Sequence, residues 1–115
     1  MSESILTSIK DQLYLSRDDT SFDREIIIYI NAAFARLTQL GVGPAEGFSI
    51  KDYSKTWDEY VTDIVQEEMC KVYIYCKVKS LFDPPNNTTL ANTIDKNINT
   101  YEYLLKMESE DYANG

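Results

Sequence analysis

Backbone freedom in this chain is concentrated in one short segment. Three of its four glycines, Gly41, Gly43 and Gly47, lie within seven residues, and Pro44 stands among them. Glycine reaches positive φ without a Cβ clash, whereas proline fixes its own φ and lacks a backbone N–H. We therefore predict one long loop of defined backbone conformation that connects two elements or contacts another molecule. Nothing in this loop suggests catalysis.

The stretch before this loop predicts a helix over residues 22–40. Its apolar residues recur at the spacing of one helix face, and Gly41 then stands where a left-handed residue commonly ends a helix. Thr20 and Ser21 lie at the expected start, where hydroxyl side chains accept free backbone N–H groups. The apolar stripe consists of Ile26, Ile27, Ile30, Phe34, Leu37 and Leu40.

Three other segments also carry helical patterns. Residues 4–14 are amphipathic, and the TWDEYV segment begins at Thr56, a capping residue followed by acids. The sequence at 83–85, Asp-Pro-Pro, stops any helix that reaches it. Thr88 or Thr89 then caps a last helix with a one-sided, nearly heptad-like apolar stripe.

Residues 63–82 fit two kinds of element. Alternate positions from Val72 to Val78 are apolar, which is the period of a strand. As a helix, the same segment is apolar on two opposite sides, with Val65 on one side and Leu81 on the other. We favour a central helix, because the segment continues from the polar, helix-favouring run IVQEEMCK.

These patterns predict an all-α fold, a small helical bundle of four to five helices with one long Gly/Pro-containing loop. We expect a single domain over residues 1–115, with an acidic tail, about 108–115, that frays. A chain that is 43% apolar and 26% charged has the composition of a soluble globular protein. It shows neither a membrane-spanning stretch nor signal-peptide features, so we expect an intracellular protein that contacts no membrane.

Charge and residue usage exclude several functions. The net charge of −8 opposes DNA binding through phosphate neutralisation, and the sequence contains no histidine to act as a general base or metal ligand. Cys70 and Cys76 are six residues apart, on different faces of a helix, so we expect buried free thiols. No GK[ST] sequence follows the glycine-rich segment, so it is not a phosphate loop.

Two groups of carboxylates are the candidates for a divalent metal ion. Asp18, Asp19 and Asp23 form one, and Asp58, Glu59 and Asp63 form the other. Each lies beside a predicted helix start, where acids are favoured by the helix dipole. We therefore expect no metal, no cofactor and no enzymatic activity. A small metal-dependent hydrolase that uses the second group is a rival hypothesis.

Nine tyrosines in 115 residues is a high count. Tyrosine suits protein interfaces, because it buries a large ring while keeping one polar tip in water. Half-buried rings around a small core account for part of this count. The residues alone therefore indicate an interaction module.

Several segments together resemble the small head-tail connector proteins of tailed bacteriophages and prophages. The resemblance covers residues 4–107, and its most specific parts are LTQLGVGP and KSLFDPP. The other similar segments are ILTSIK, DDTSFD, the region around Trp57 and YIYCKVKSLFDPP.

The resemblance implies a mostly helical structural subunit of the virion. It implies a homo-oligomeric ring of twelve or thirteen copies that joins the portal protein to the tail or to a head-completion protein. DNA would pass through the ring without specific binding, and the subunit would be in the host cytoplasm during assembly. We expect that an isolated preparation can still be monomeric. An acidic helical DNA mimic or regulatory binding protein is the alternative.

The residues carried over from this resemblance are structural. The Gly41–Pro44 turn is expected to set how the loop leaves its helix, and Pro84 and Pro85 to fix the turn into the last helix. Phe48 and Trp57 either pin the loop or contact a neighbouring subunit. The candidate interface and loop residues are Gly41, Val42, Gly43, Pro44, Gly47, Phe48, Ile50 and Trp57.

Overall fold

The computed structural model describes the backbone of residues 3–114 and the side chains of residues 3–110. This part of the chain contains five helices and no strand, which confirms the predicted all-α bundle. Ser4 and Thr56 form one isolated antiparallel bridge. The helices are α1 (Ile5–Gln12), α2 (Asp23–Gln39), α3 (Trp57–Tyr60), α4 (Ile64–Phe82) and α5 (Thr88–Asn114).

Helix α4 is the centre of the bundle and packs against α1, α2 and α5. The rings of Phe22 and Phe82 lie 5.3 Å apart, so the start of α2 meets the end of α4. The Tyr73 hydroxyl of α4 donates to Glu102 of α5 at 2.7 Å. The end of α5 also lies beside the end of α2, where Ser109 contacts Leu40, so α2 and α5 run parallel to each other and antiparallel to α4.

The segment 63–82 is a helix, as favoured above. Its N-cap is Asp63, whose side chain accepts from the backbone N–H of Gln66 at 2.8 Å. The expected burial on two sides holds for most of it, but Val65 is 60% and Leu81 is 52% exposed. Both lie in the end turns of α4, where the neighbouring helices no longer cover it.

Two predicted helix caps are wrong. Phe22 occupies the N-cap of α2 and makes no side-chain capping bond, so neither Thr20 nor Ser21 caps that helix. Asn87 caps α5 in place of Thr88 or Thr89, because its side chain accepts from the backbone N–H of Leu90 at 3.1 Å. Asparagine is as strong a capping residue as serine, so the sequence offered several equivalent choices.

A hydrogen bond near the end of α5 joins this helix to α2. The helix continues through Asn114, and the Ser109 hydroxyl donates to the backbone carbonyl of Leu40 at 2.9 Å. This contact ties the last helix to the end of α2. Fraying of the acidic tail, about residues 108–115, stays a prediction.

Buried thiol and phenol groups should make the folded chain less stable in alkaline solution. Burial raises the pKa of the Cys70 thiol to about 12, and burial also raises the pKa values of the Tyr60 and Tyr73 hydroxyls. The unfolded chain loses these protons from about pH 9, where the folded chain still holds them, so stability present at neutral pH falls as pH rises. Urea denaturation between pH 7 and 11 should show a falling midpoint, less steep in the Tyr73→Phe variant. A constant midpoint would contradict this expectation.

Candidate functional site

Helix α2 ends in a Schellman motif, and the loop over residues 41–56 begins there. The backbone N–H of Gly41 donates to Thr38 at 3.0 Å, and that of Val42 donates to Leu37 at 2.9 Å. Gly41 has φ +85°, the left-handed conformation expected at this position. Val42 is 1% exposed, so the chain turns directly back onto the core.

Gly43 leaves room for the ring of Tyr60. A Cβ atom on Gly43 would lie 2.5 Å from Tyr60 Cε1 and 2.9 Å from Cζ, and the residue has φ +80°. Tyr60 is 4% exposed. Glycine at position 43 therefore meets two requirements: it allows the positive φ of the turn, and it lets the loop pack closely on Tyr60 of α3.

Four aromatic rings hold the middle of the 41–56 loop against the bundle. The Phe48 ring of the loop lies 5.0 Å from Phe34 of α2 and 5.0 Å from Tyr60 of α3. Phe34 and Tyr60 are 4.6 Å apart, and Trp57 lies 6.5 Å from Phe34. The two contacts of Phe34 with Phe48 and with Tyr60 are edge-to-face, an arrangement that stabilises beyond the area that it buries.

Asn31 of α2 fixes the loop backbone at Ile50. Its side-chain amide donates to the Ile50 carbonyl at 3.0 Å, and its carbonyl accepts from the Ile50 N–H at 2.8 Å. Ile50 is 2% exposed, so its backbone groups have little access to water in place of Asn31. One side chain thus satisfies both polar groups of a buried loop residue.

Replacing Asn31 by alanine should destabilise the protein by about 2 kcal/mol, because two buried backbone groups lose their partners. The loop should also exchange its amide hydrogens faster near Ile50. Chemical denaturation and hydrogen exchange measure the two effects. Asn99→Ala, at an exposed position of α5, is the matched control for the same substitution without the contact to Ile50. Equal exchange near Ile50 in both variants would contradict the role of Asn31.

The end of the loop is joined to the N-terminal segment. The backbone N–H of Ile5 donates to Lys55 at 3.0 Å, and that of Trp57 donates to Glu3 at 3.3 Å. Inside the core, the Trp57 indole N–H donates to the Ser8 hydroxyl at 2.9 Å. Trp57 is fully buried, so in this subunit its side chain pins the chain to α1.

The fully buried side chain of Lys10 contacts groups from several segments of the chain, including the 41–56 loop. Lys10 Nζ lies 2.8 Å from an Asp23 carboxylate oxygen, 2.7 Å from the Asp19 carbonyl and 3.0 Å from the Tyr53 hydroxyl. The Tyr53 hydroxyl in turn donates to Asp23. Burial acts to lower the pKa of Lys10, but the contacts with Asp23 and Tyr53 outweigh it and the pKa is raised. The ammonium group thus links α1, the start of α2 and the loop.

The predicted loop residues come together on one side of the bundle, with different exposure. Gly41 is exposed, whereas Gly43, Pro44, Gly47 and Phe48 are half-buried. Val42, Ile50 and Trp57 are buried. Sequence reasoning missed Lys10, Asn31 and Tyr53, whose roles depend on contacts between residues far apart in the chain.

An open cleft of about 640 Å³ lies beside the first turn of the loop. Its walls come from the loop, α3, the α3–α4 connection and the last turns of α5. The lining includes Gly41, Gly43, Asp58, Glu59, Tyr60, Val61 and Ser109. The cleft therefore offers hydrogen-bond acceptors beside an aromatic ring.

Comparison with known proteins decides what this architecture is. The family model of phage connector proteins matches residues 5–112. The chain belongs to this family. The match confirms the resemblance and includes the whole 41–56 loop. No curated protein and no solved structure matches the chain.

Membership gives the connector the structural role of a phage head-tail connector and makes it a component of the virion. Within the described residues, no group of three or more His, Cys, Asp or Glu side chains is arranged to hold a metal ion. In the first candidate group, two carboxylates bind groups of the chain itself: Asp23 pairs with Lys10, and Asp19 accepts from the backbone N–H of Ser21. No helix in the described part of the connector is long and apolar enough to cross a membrane.

Proposed function

We propose that the connector is a ring-forming subunit that joins the portal vertex of the head to the tail or to a head-completion protein. The match of the connector family over residues 5–112 carries this proposal. Twelve or thirteen copies would surround the passage for DNA. The subunit itself performs no enzymatic reaction in this role.

The charge distribution supports passage of DNA without binding. The chain carries a net charge of −8, and many of its basic side chains are already in ion pairs within the subunit. Few cations are therefore left to attract phosphates, and an acidic ring would let DNA slide through. The paired basic residues are Lys10, Arg17, Arg36, Lys55, Lys71 and Lys79.

Exposed apolar side chains support assembly with other chains. Tyr103, Leu104 and Met107 are adjacent on α5 and are 64%, 41% and 44% exposed. Large apolar residues that cluster on a helix surface indicate a contact with another protein. Closure of a ring requires two different faces of each subunit to meet, and the α5 cluster is available as part of one.

The 41–56 loop would contribute a contact surface of fixed conformation to this assembly. Its buried residues fix its path, while Ala45, Glu46, Ser49 and Lys51 remain exposed. A loop held by Asn31 is preorganised, so little conformational entropy would be lost on contact. Its exposed tip can therefore meet the portal or a neighbouring copy without refolding.

Inactivating the gene in its phage or prophage tests the proposal. Electron microscopy should show DNA-filled heads and free tails that do not join, and supplying the connector from a plasmid should restore complete particles. Normal particles without the connector would overturn the proposal. An acidic DNA mimic would leave particles intact and instead bind a basic protein in a salt-sensitive manner.

A further inference from the structure

Two neighbouring helices of the connector, α4 and α5, both expose apolar side chains. Val65 of α4 is 60% exposed, and Leu104 and Met107 of α5 are 41% and 44% exposed. Val72 stands seven residues after Val65, on the same side of α4, and is half-buried. Apolar residues that form one exposed patch indicate a binding surface, so the packing of the two helices decides what these residues can do.

Contacts between α4 and α5 fix the register of the two helices. The Tyr73 hydroxyl of α4 donates to Glu102 of α5 at 2.7 Å, and Gln66 and Ser109 line the same cleft. Along each helix these two contacts are seven residues apart, as the pairing of antiparallel helices requires. In this register the exposed apolar residues of α4 and α5 lie at the same height along the pair, within about one turn of each other.

The exposed residues of α5 lie on the side away from α2. Glu102 and Ser109 form hydrogen bonds with residues of α2, so they mark the side of α5 that faces it. Leu104 and Met107 each stand two residues from one of them, a spacing that rotates a side chain about 200° around the helix. Leu104 and Met107 therefore point away from α2.

The exposed residues of α4 lie on the same face of the helix pair. Cys70 and Ile74 are fully buried and mark the side of α4 that faces the core. Val72 stands two residues from both, so it points away from the core by the same rotation of about 200°. The two apolar rows therefore flank a shallow groove between the helices. The residues of this α4–α5 groove are Val65, Val72, Leu104 and Met107.

Two carboxylates border the α4–α5 groove. Glu68 stands on α4 three residues after Val65, and its side chain is 65% exposed. Glu108 follows Met107 on α5 and is half-buried. The apolar surface therefore has an acidic residue on each side.

The cations of the connector do not balance this negative charge. Lys71 is shared by Glu3, Glu67 and Glu68, at 3.2, 3.2 and 3.4 Å. One ammonium group faces three carboxylates, so negative charge remains in excess. Lys79, farther along α4, has an acid of its own at 2.8 Å. The groove therefore favours a partner that carries positive charge.

The α4–α5 groove has the form and the charge to hold a basic amphipathic helix. Grooves of this kind bind the apolar side of a helix, whose polar residues then lie over the rim. A second connector fits less well, because it brings a net charge of −8 and many of its basic side chains are already in ion pairs. Like charges would oppose that contact.

We infer that the α4–α5 groove binds an amphipathic helix of another virion protein, whose Lys or Arg side chains pair with Glu68 and Glu108. This inference rests on the proposed joining role and adds the chemistry of the partner that is joined. It assigns two residues of the α5 cluster, Leu104 and Met107, to that partner and leaves ring closure to other surfaces.

Charge reversal beside the groove should weaken assembly without unfolding the connector. Glu68→Lys, supplied from a plasmid to a phage whose connector gene is inactivated, should lower the yield of complete particles by about tenfold or more, because it repels the basic helix. Leu104→Asp should lower the yield similarly. Both side chains are exposed, so the melting temperatures of the isolated variants should match that of wild type.

Asn99→Lys is the matched control for the added charge. Asn99 is exposed and stands three residues before Glu102, on the side of α5 away from the groove. This variant should give the particle yield of wild type. Equal yields for Glu68→Lys and Asn99→Lys would overturn the inference.

Crosslinking identifies the occupant directly. A photoreactive benzoyl-phenylalanine at position 104, in complete particles, should join the connector to a peptide of another virion protein. Mass spectrometry should find Lys or Arg in that peptide beside apolar residues at helical spacing. Crosslinks only to a second connector, or to a peptide without basic residues, would overturn the inference. If complete particles form without any connector, the proposed function fails instead.

Discussion

Replacing Gly43 by alanine is expected to destabilise the connector by about 2 to 5 kcal/mol. The added Cβ would overlap the Tyr60 ring, 2.5 Å away at Cε1, and Tyr60 cannot retreat because it packs against Phe34 and Phe48. Overpacking of this kind costs about 1 to 3 kcal/mol, and an alanine at positive φ adds about 1 to 2 kcal/mol. Denaturation followed by fluorescence of the single tryptophan, the buried Trp57, measures the loss.

The Gly47→Ala variant separates the effect of positive φ from the effect of steric overlap with Tyr60. Gly47 also has positive φ, at +95°, but a Cβ there would meet its nearest neighbour, Thr38 Oγ1, at an ordinary 3.9 Å. Only the conformational penalty of about 1 to 2 kcal/mol applies to this variant. Equal losses for Gly43→Ala and Gly47→Ala would show that the contact with Tyr60 is unimportant.

Lys10→Met should cost about 3 to 5 kcal/mol, because it leaves the carboxylate of Asp23 largely buried without its cation. Lys10 is fully buried, and its Nζ also holds the Asp19 carbonyl and the Tyr53 hydroxyl, so the turn before α2 and the 41–56 loop should both loosen. Equilibrium urea denaturation gives the free energy of unfolding. Hydrogen exchange at residues 51–54 reports the loosening of the loop.

The contribution of Lys10 should also depend on pH in a defined direction. Its pKa in the folded chain is raised above 10.5, so the stabilisation is fully present below pH 10.5 and is lost as pH rises through the folded value. The gap between wild type and Lys10→Met should therefore narrow in strong alkali. Lys55→Met is the matched control, since Lys55 is half-exposed and pairs with Glu59 at 3.7 Å. That change should stay within about 0.5 kcal/mol, and an equal loss in both variants would contradict the role of burial.

Local patterns predicted the helices well because each depends on residues close in sequence. The spacing of apolar residues gave α2 and α5, and Gly41 marked the end of α2 where the left-handed residue stands. The ambiguity at residues 72–78 arose because a helix buried on several sides loses its polar face. Its position at the centre of the bundle explains the alternating appearance.

The contacts that shape the 41–56 loop were beyond local prediction. Asn31 bonds to Ile50 nineteen positions away, and Lys10 meets Tyr53 across forty-three positions. A lysine inside an amphipathic helix is expected at the surface, and only the fold brings its partners to it.

Native mass spectrometry of the connector mixed with its cognate portal protein tests the central claim most directly. A ring-forming connector should add twelve or thirteen copies of 13.2 kDa to each portal assembly, even if the connector alone is monomeric. Discrete addition of that number, with no stable partial occupancy, is the expected result. A portal assembly whose mass is unchanged, or that gains only one or two copies, would contradict a ring-forming connector.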